Sequence, residues 1–311
     1  MKRLFRDVHG APLCPQGSVA CIGAFDGLHL GHQALLQHAS SRARALGLPL
    51  VALGFEPLPR ELFARPAPPR LMLPRAKACG LFELGADLVG LLRFDQPLAA
   101  MSAETFVREL LVRRLHVREV WVGPDFRFGH RRGGDIATLR RLGPACGFEA
   151  GAIAPVMLDG ERVSSTRIRA ALQAGDLDLA ARMLGRPYAI DGHVVHGAQL
   201  GRKLGFPTAN LRFDRKQPAL SGIFAARVHG VGPQPWPAVA SFGTRPTVDG
   251  QEPLLEAHLF DFDGDLYGRR IGVEFVAKLR EEERFDDLPA LVAQMKQDAA
   301  QARSVLEKER K

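Results

Sequence analysis

The chain has 311 residues, 46% hydrophobic and 24% charged, and a net charge of +8 from 42 basic and 34 acidic side chains. That length fits about two domains of ordinary size, and the composition is that of a soluble globular protein. It excludes a low-complexity chain, and no segment approaches the roughly 20 consecutive apolar residues needed to cross a bilayer, so no membrane partner is expected. The start, MKRLFRDVHG, has basic residues without an apolar run behind them and does not read as a signal peptide. The cysteines, Cys14, Cys21, Cys79 and Cys146, are widely spaced with no C-x-x-C. Neither a disulfide framework nor a cysteine zinc site is expected, and a cytoplasmic location fits. The positive charge suits either a nucleic acid or a small polyanion such as a nucleotide. The basic residues are scattered, with short exceptions at 130-HRR-132 and 140-RR-141, which favours small anions and no nucleic acid.

In chain order, strands are predicted at 18–24, 50–55, 87–94, 118–123 and 148–156. Between them, helices are predicted at 31–46, 74–84, 102–114 and 135–143, the first with Leu35, Ala39, Ala43 and Leu46 on one stripe and a stop at Gly47. Strand–helix alternation with apolar strands predicts a Rossmann-like α/β domain, a parallel sheet with helices on both faces. A further helical segment, 167–185, closes this part. Beyond it come short strand-like runs at 188–197, 206–213, 222–230, 237–243, 254–262 and 271–279, punctuated by glycine and proline. They predict an antiparallel β-barrel, with Asp263-Gly264 as a hairpin turn and a C-terminal helix at about 287–308. The expected domains are therefore residues 1–185 and 186–311.

In a parallel sheet, ligands bind beyond the carboxyl ends of the strands. Four stretches are expected to converge there: 23-GAFDGLHLGH-32, 55-FEPLP-59, 123-GPDFRFG-129 and 164-SSTRIR-169. The first is a glycine-rich turn running into a helix. Gly23, Gly27 and Gly31 let a phosphate approach backbone, and the first N–H groups of the helix are unpaired at its positive end. His29 and His32 are three apart at the helix start, so both rings can point to one side and donate to phosphate oxygens. Such donors matter most where charge grows during phosphoryl or nucleotidyl transfer. Asp26, His29 and His32 also fit a metal site, the glycines a plain turn, and one histidine a packing role.

In the second part, 197-GAQLGRKLGFPTAN-210 reads as a flap with Gly197, Gly201 and Gly205 around Arg202 and Lys203. Pro207 biases Phe206 toward extended backbone. Thr208 and Asn210, two apart in the strand that follows, face one side, where a hydroxyl and an amide oxygen suit Mg²⁺; they also fit the end of an ordinary strand. Glu256, inside the apolar run LLEAHLF, is either a paired structural charge or a functional carboxylate.

HLGH after a first strand, with SSTRIR beyond the sheet, resembles the HxGH/ISSTxxR nucleotidyltransferase superfamily. The whole chain is more narrowly similar to the prokaryotic bifunctional riboflavin kinase/FMN adenylyltransferase family, the bacterial FAD synthetases. GAFDGLHLGH, FEPLP, GPDFRFG and VSSTRIR follow the order of its adenylylation module, and GRKLGFPTANL, GTRPT (243–247) and EAHLFDFDGDLYG (256–268) that of its kinase module. The resemblance implies that ATP phosphorylates riboflavin to FMN in the second domain and adenylylates FMN to FAD in the first, with Mg²⁺ accompanying ATP and the flavins as substrates and products.

For the first site it implies that Gly23, Phe25, Asp26, Gly27, His29, Gly31, His32, Ser164, Ser165, Thr166 and Arg169 bind ATP. His29 and His32 would stabilise the α-phosphate and leaving group, and Phe55, Pro57, Pro59, Asp125, Phe126 and Phe128 would bind the flavin. Phe126 and Phe128 also fit a plain core strand. Leu58 stands where the family often has a polar residue. For the second site it implies ATP binding by Gly197, Gly201, Arg202, Gly205, Pro207, Thr208 and Asn210, Mg²⁺ on Thr208 and Asn210, Glu256 as general base, and Arg245 at phosphate or flavin. Ser241-Phe242 departs from the family's usual Asn-Ile. The expected partners are small molecules, with the protein a monomer or a weak homo-oligomer. A single-activity nucleotidyltransferase with a flavin-binding barrel, and a flavin- or RNA-binding regulator, are the alternatives.

Overall fold

The computed structural model describes residues 2–64, 66–197, 201, 204–212, 219–247 and 250–309. The chain divides into two compact units, one of residues 1–68 with 74–164, the other of residues 69–73 with 165–311.

The first unit is built on a six-stranded sheet of β1 (Arg3–Phe5), β2 (Ser18–Ile22), β3 (Leu50–Glu56), β4 (Leu88–Arg93), β5 (Val117–Val122) and β6 (Glu149–Ala152). Their order is β1-β4-β3-β2-β5-β6, with every pairing parallel. All five residues of β2 are buried, as a central strand covered on both faces requires. The helices are α1 (Leu30–Leu46), α2 (Pro59–Phe63), α3 (Pro74–Glu83), α4 (Gln96–Ala100), α5 (Ala103–Phe106), which passes into a π-helical stretch (Val107–Arg114), and α6 (Ile136–Cys146). The chain leaves β2 to build β3 and β4 on one side, then returns to lay β5 and β6 on the other. The reversal opens a crevice at the carboxyl ends of β2 and β5, the place where such sheets bind ligands.

The predicted strands and helices of this unit are present, with instructive differences. The edge strand β1 has three residues and too little pattern to predict. Leu46 is 44% exposed, because the helical stripe has rotated off the core by the last turn before Gly47. The strand predicted over 148–156 ends at Ala152. Between it and 164-SSTRIR-169 lies an unpredicted hairpin of β7 (Met157–Leu158) and β8 (Glu161–Arg162). Of the four thiols, Cys14 and Cys21 are buried and Cys79 is exposed on α3. Burial pushes Cys21 up to about 12.

The second unit begins with α7 (Ser165–Ala174) and α8 (Leu177–Leu184), two helices where one was predicted. Gly175, at φ 78°, breaks them, and Asp176 restarts the second by accepting from the Leu179 amide at 2.9 Å. Then β9 (Ala189–Val195), β10 (Ala209–Arg212), β11 (Gly222–His229), β12 (Trp236–Thr247), β13 (Gly250–Leu259) and β14 (Arg270–Arg280) close an antiparallel barrel in the order β10-β13-β12-β11-β14-β9. The Asp263-Gly264 hairpin prediction is wrong. β13 and β14 are not neighbours, and the stretch between them spans the barrel instead. Phe224, Phe242 and Phe275 fill the interior, with Phe224 edge-on to Phe275 at 5.1 Å. A filled barrel leaves its outer face and rim for ligands.

The helix α9 (Leu288–Lys308) packs Ala302 and Leu306 on the barrel. Arg280 holds it through two hydrogen bonds to Asp298, 2.9 and 2.7 Å, and Arg303 holds Asp261 at 2.8 and 3.0 Å while lying 4.2 Å over the Phe260 ring.

Gly151 in β6 tests the first unit's packing. A Cβ there would lie 2.2 Å from the Trp121 ring, and a rigid indole cannot turn aside as an alkyl chain can. Gly151→Ala is expected to lower stability by about 1–3 kcal/mol, read as a lower urea midpoint with altered Trp121 emission.

Candidate functional site

At the carboxyl end of β2 the chain makes its tightest turn. Phe25, Gly27 and Leu28 all have positive φ, at 51°, 87° and 49°. Side chains at Phe25 and Leu28 bear a cost in that region, so burial must hold them there. Phe25 is fully buried beside Gly23 and Gly54, and Leu28 is 2% exposed. Leu28 points into a notch at Gly80 of α3, where a Cβ would stand 2.4 Å from its Cδ1. The wedged turn delivers His29 as the N-cap residue of α1. The His29 side chain makes no capping hydrogen bond, and no acidic residue lies in the first turn to offset the positive helix end.

His29 and His32 stack face to face, 3.7 Å between centroids and 17° between planes, and Phe25 meets His32 edge-on at 5.3 Å. Nδ1 of His32 is buried and has no hydrogen-bond partner among the described residues. Burial, then the adjacent His29 and the Lys77 ammonium, push His32 well below the ordinary histidine range. Without ligand it is a neutral imidazole, able to donate one hydrogen bond but not yet a charge. Asp26 is buried at the head of the turn. The structure brings Phe25, His29 and His32 together with Gly23 and Gly31, and the Val163 carbonyl, just before Ser164, lies 3.9 Å from where a Cβ of Gly31 would stand.

The other expected residues are placed variously. Phe55, next to last in β3, meets Phe94 edge-on at 5.6 Å; Phe94 in turn meets Phe63 at 6.0 Å. Phe63 is 65% exposed, a large aromatic face toward solvent that sequence reading passed over because it closes a five-residue helix. Pro57 follows Glu56, and Pro59 opens α2. Leu58 is 4% exposed, so it fills the interior where a polar contact had been in question. Phe126 and Phe128 stack at 5.4 Å, but Phe128 is buried against Phe106 in the core. Asp125 is ion-paired with Arg162 of β8. Ser164 ends the first unit. Ser165, Thr166 and Arg169 begin the second in α7, where Arg169 is 9% exposed and donates to the Pro69 carbonyl.

In the barrel, Asn210 of β10, Glu256 of β13 and Ser241 of β12 stand side by side in register across adjacent strands. Their flanking residues Leu211, Leu255, Ala257, Ala240 and Phe242 point inward and are buried, so these three share the outer face. The Thr208 hydroxyl donates to Glu256 Oε1 at 3.5 Å, and the Asn210 amide nitrogen lies 3.4 Å from the same hydroxyl. Asn210 Oδ1 is buried with no hydrogen-bond partner among the described residues, and a Cβ on Gly197 would stand 2.6 Å from it. Gly201 and Gly205 bracket a turn closed by the Phe206 amide on the Gly201 carbonyl, 2.8 Å, and Pro207 is tied to β13 through His258 at 2.8 Å. Glu282 was not foreseen. Its carboxylate lies directly over Gly243, two residues along the same face from Ser241, and burial raises it, with Glu256 adding to the rise against Arg280. Arg202 lies outside the described residues, and Arg245 lies in β12 opposite Glu252.

Two family models cover this chain in turn: FAD synthetase over residues 11–167 and riboflavin kinase over residues 184–306. The chain belongs to the bifunctional riboflavin kinase/FMN adenylyltransferase family. Family members of that name from Escherichia coli K12 and Pseudomonas fluorescens are 46% and 48% identical to it, each alignment covering 97% of both chains. A crystal structure of a macrolide-efflux protein from Streptococcus pneumoniae superimposes with a TM-score of 0.78 at 29% identity, over 97% of this chain and 99% of that one. Among the described residues, no helix is long and apolar enough to cross a membrane.

The state of His32 sets a pH dependence. Its proton affinity is low in the empty site and would rise beside a phosphate, so a polyphosphate docking at this turn would take up a proton between those two pKa values. Affinity is expected to strengthen as pH falls through that window. Titration calorimetry in buffers of different ionisation enthalpy reads the uptake, and His32→Ala is expected to abolish it.

Proposed function

We infer that the protein is a two-activity enzyme of flavin-nucleotide synthesis. ATP phosphorylates riboflavin to FMN at the barrel, and a second ATP adenylylates FMN to FAD at the α/β domain with release of pyrophosphate. Family membership over nearly the whole length carries the reading. The boundary between the functional domains is taken near residue 185, at the start of the riboflavin kinase match. The protein is read as cytoplasmic and as a monomer or weak homo-oligomer.

In the adenylyltransferase, an FMN phosphate oxygen attacks the α-phosphorus of ATP, and the bond to the pyrophosphate oxygen breaks. No covalent enzyme intermediate is needed, so the protein's task is to align two anions and offset their repulsion. His29, His32 and the free amides of α1 would receive the α-phosphate and leaving group, with Gly23, Phe25, Asp26, Gly27 and Gly31 shaping the cradle. Ser164, Ser165, Thr166 and Arg169 would hold the triphosphate. Phe55, Pro57, Pro59, Asp125 and Phe126 would bind the flavin, and exposed Phe63 adds an aromatic face on which an isoalloxazine ring can stack. Phe128, buried in the core, would act by supporting Phe126.

In the kinase, Glu256 would take the proton of the riboflavin 5′-hydroxyl as that oxygen attacks the γ-phosphorus and ADP leaves. Thr208 and Asn210 fit Mg²⁺. They offer a hydroxyl and an otherwise unsatisfied buried amide oxygen, hard neutral donors of the kind this ion takes alongside nucleotide phosphates. When bound there the ion would offset phosphate charge. Gly197, Gly201, Arg202, Gly205 and Pro207 would close over the nucleotide, and Arg245 would contact phosphate or flavin.

Purified protein given riboflavin and ATP with Mg²⁺ is expected to form FMN and then FAD, separated by chromatography. Failure to form FMN, with FAD still made from supplied FMN, would favour the single-activity alternative. His29→Ala or His32→Ala is expected to lose about 100-fold or more in FAD formation and keep FMN formation; Glu256→Gln is expected to do the reverse. Loss of both activities in either folded variant would refute two separate sites. Phe63→Ala is expected to raise KM for FMN in the adenylylation step about tenfold, with little change in KM for ATP.

A further inference from the structure

Lys77 lies on α3, in a stretch whose sequence gives no sign of function. Its side chain is fully buried, which is rare for lysine unless the ammonium is held by partners. Here the end of β3 supplies them. Nζ lies 3.6 Å from a Glu56 carboxylate oxygen and 3.4 Å from the Phe55 carbonyl. Phe55 and Glu56 lead into the FEPLP stretch assigned above to flavin.

One turn further along the same helix face is Gly80, the notch that receives Leu28. Lys77 and Gly80 thus let a single helix grip two loops of the site at once, the end of β3 through charge and the 25–32 turn through a fitted side chain. A simple packing lysine would not need such a location. An apolar residue would fill the space without the cost of burying an ammonium.

We propose that Lys77 is a positioning residue of the adenylyltransferase site, its buried ammonium fixing the end of β3 while the same helix, through Gly80, seats the paired-imidazole turn. The inference rests on the functional reading above and adds a residue to it. The charge acts on His32, which also faces His29 from the turn, while Glu56 faces Lys77 from β3 and Asp26 is buried at the head of the turn. A fixed cation opposes protonation of His32 in the empty site. When a triphosphate arrives, its negative charge is met by the ammonium's field as well as by the imidazole donors, with no rearrangement of the protein.

Two variants move His32 in opposite directions. Lys77→Met removes the cation and is expected to raise the His32 titration, followed by nuclear magnetic resonance without substrate. The acid limb of the pH profile for FAD formation is expected to move upward with it. KM for ATP in that step is expected to rise about tenfold, with FMN formation from riboflavin within about twofold of the unaltered enzyme. Glu56→Gln keeps the ammonium and removes its counter-charge, and is expected to lower the His32 titration further. It also serves if Lys77→Met fails to fold. An unchanged His32 titration in the folded variants overturns the inference, because a lysine that only packs would not move it. That arm uses no substrate and so fails or succeeds separately from the functional reading, which would instead be lost if the unaltered protein made no FAD.

Discussion

Two imidazole rings 3.7 Å apart at the start of a helix cannot both carry a proton unless an anion lies beside them. The first unit is arranged around that constraint. The rings are stacked and partly walled off from water, and a buried ammonium disfavours charge on His32. In the empty state the site is therefore electrically under-filled. What completes it is negative charge of the density a polyphosphate carries. The strain in the turn, with two bulky residues at positive φ, is offset by burying Phe25 and Leu28, and this ties the geometry of the paired imidazoles to the packing of α3 and β3.

The barrel meets a related problem with different means. Its interior is closed by aromatic rings, so the polar residues that matter stand outside, side by side on β10, β13 and β12. In place of imidazoles it offers a hydroxyl, an amide oxygen and a carboxylate. That set is suited to a hard cation and to removal of a proton from an alcohol, not to direct neutralisation of phosphate. On the functional reading above, the two units would handle the same nucleotide with different chemistry, as attack at different phosphorus atoms requires.

The parts legible in the sequence were those where residue type and local period agree. The GAFDGLHLGH turn was readable because glycines and histidines at a strand-to-helix junction have few other uses. The barrel was readable from regularly spaced short strands; that Thr208, Asn210 and Glu256 share one face was half-readable from strand period, while their roles came only from the family resemblance. Lys77 was invisible because a lysine in a short helix ordinarily faces water, and only the tertiary packing buries it. Phe63 was hidden for a different reason: it closes a five-residue helix that carries no motif, and only the fold shows it facing solvent. Asp263-Gly264 carried a strong hairpin signal, yet pairing in a closed barrel is set by the whole ring of strands and not by the turn alone. Glu282 lies in a run of charges whose sequence gave no reason to single out one carboxylate, and only the tertiary fold carries it from beyond the end of β14 to Gly243 of β12.

The distribution of thiols gives α3 a practical property. Cys14 and Cys21 are enclosed and held as poorly nucleophilic thiols, whereas Cys79 stands in solvent between Lys77 and Gly80 in sequence. A maleimide dye would therefore attach preferentially to α3, with half-buried Cys146 of α6 as the slower competitor. The native chain thus carries an anchoring point for an optical reporter on that helix, and nucleotide docking could be followed in real time without engineering a cysteine.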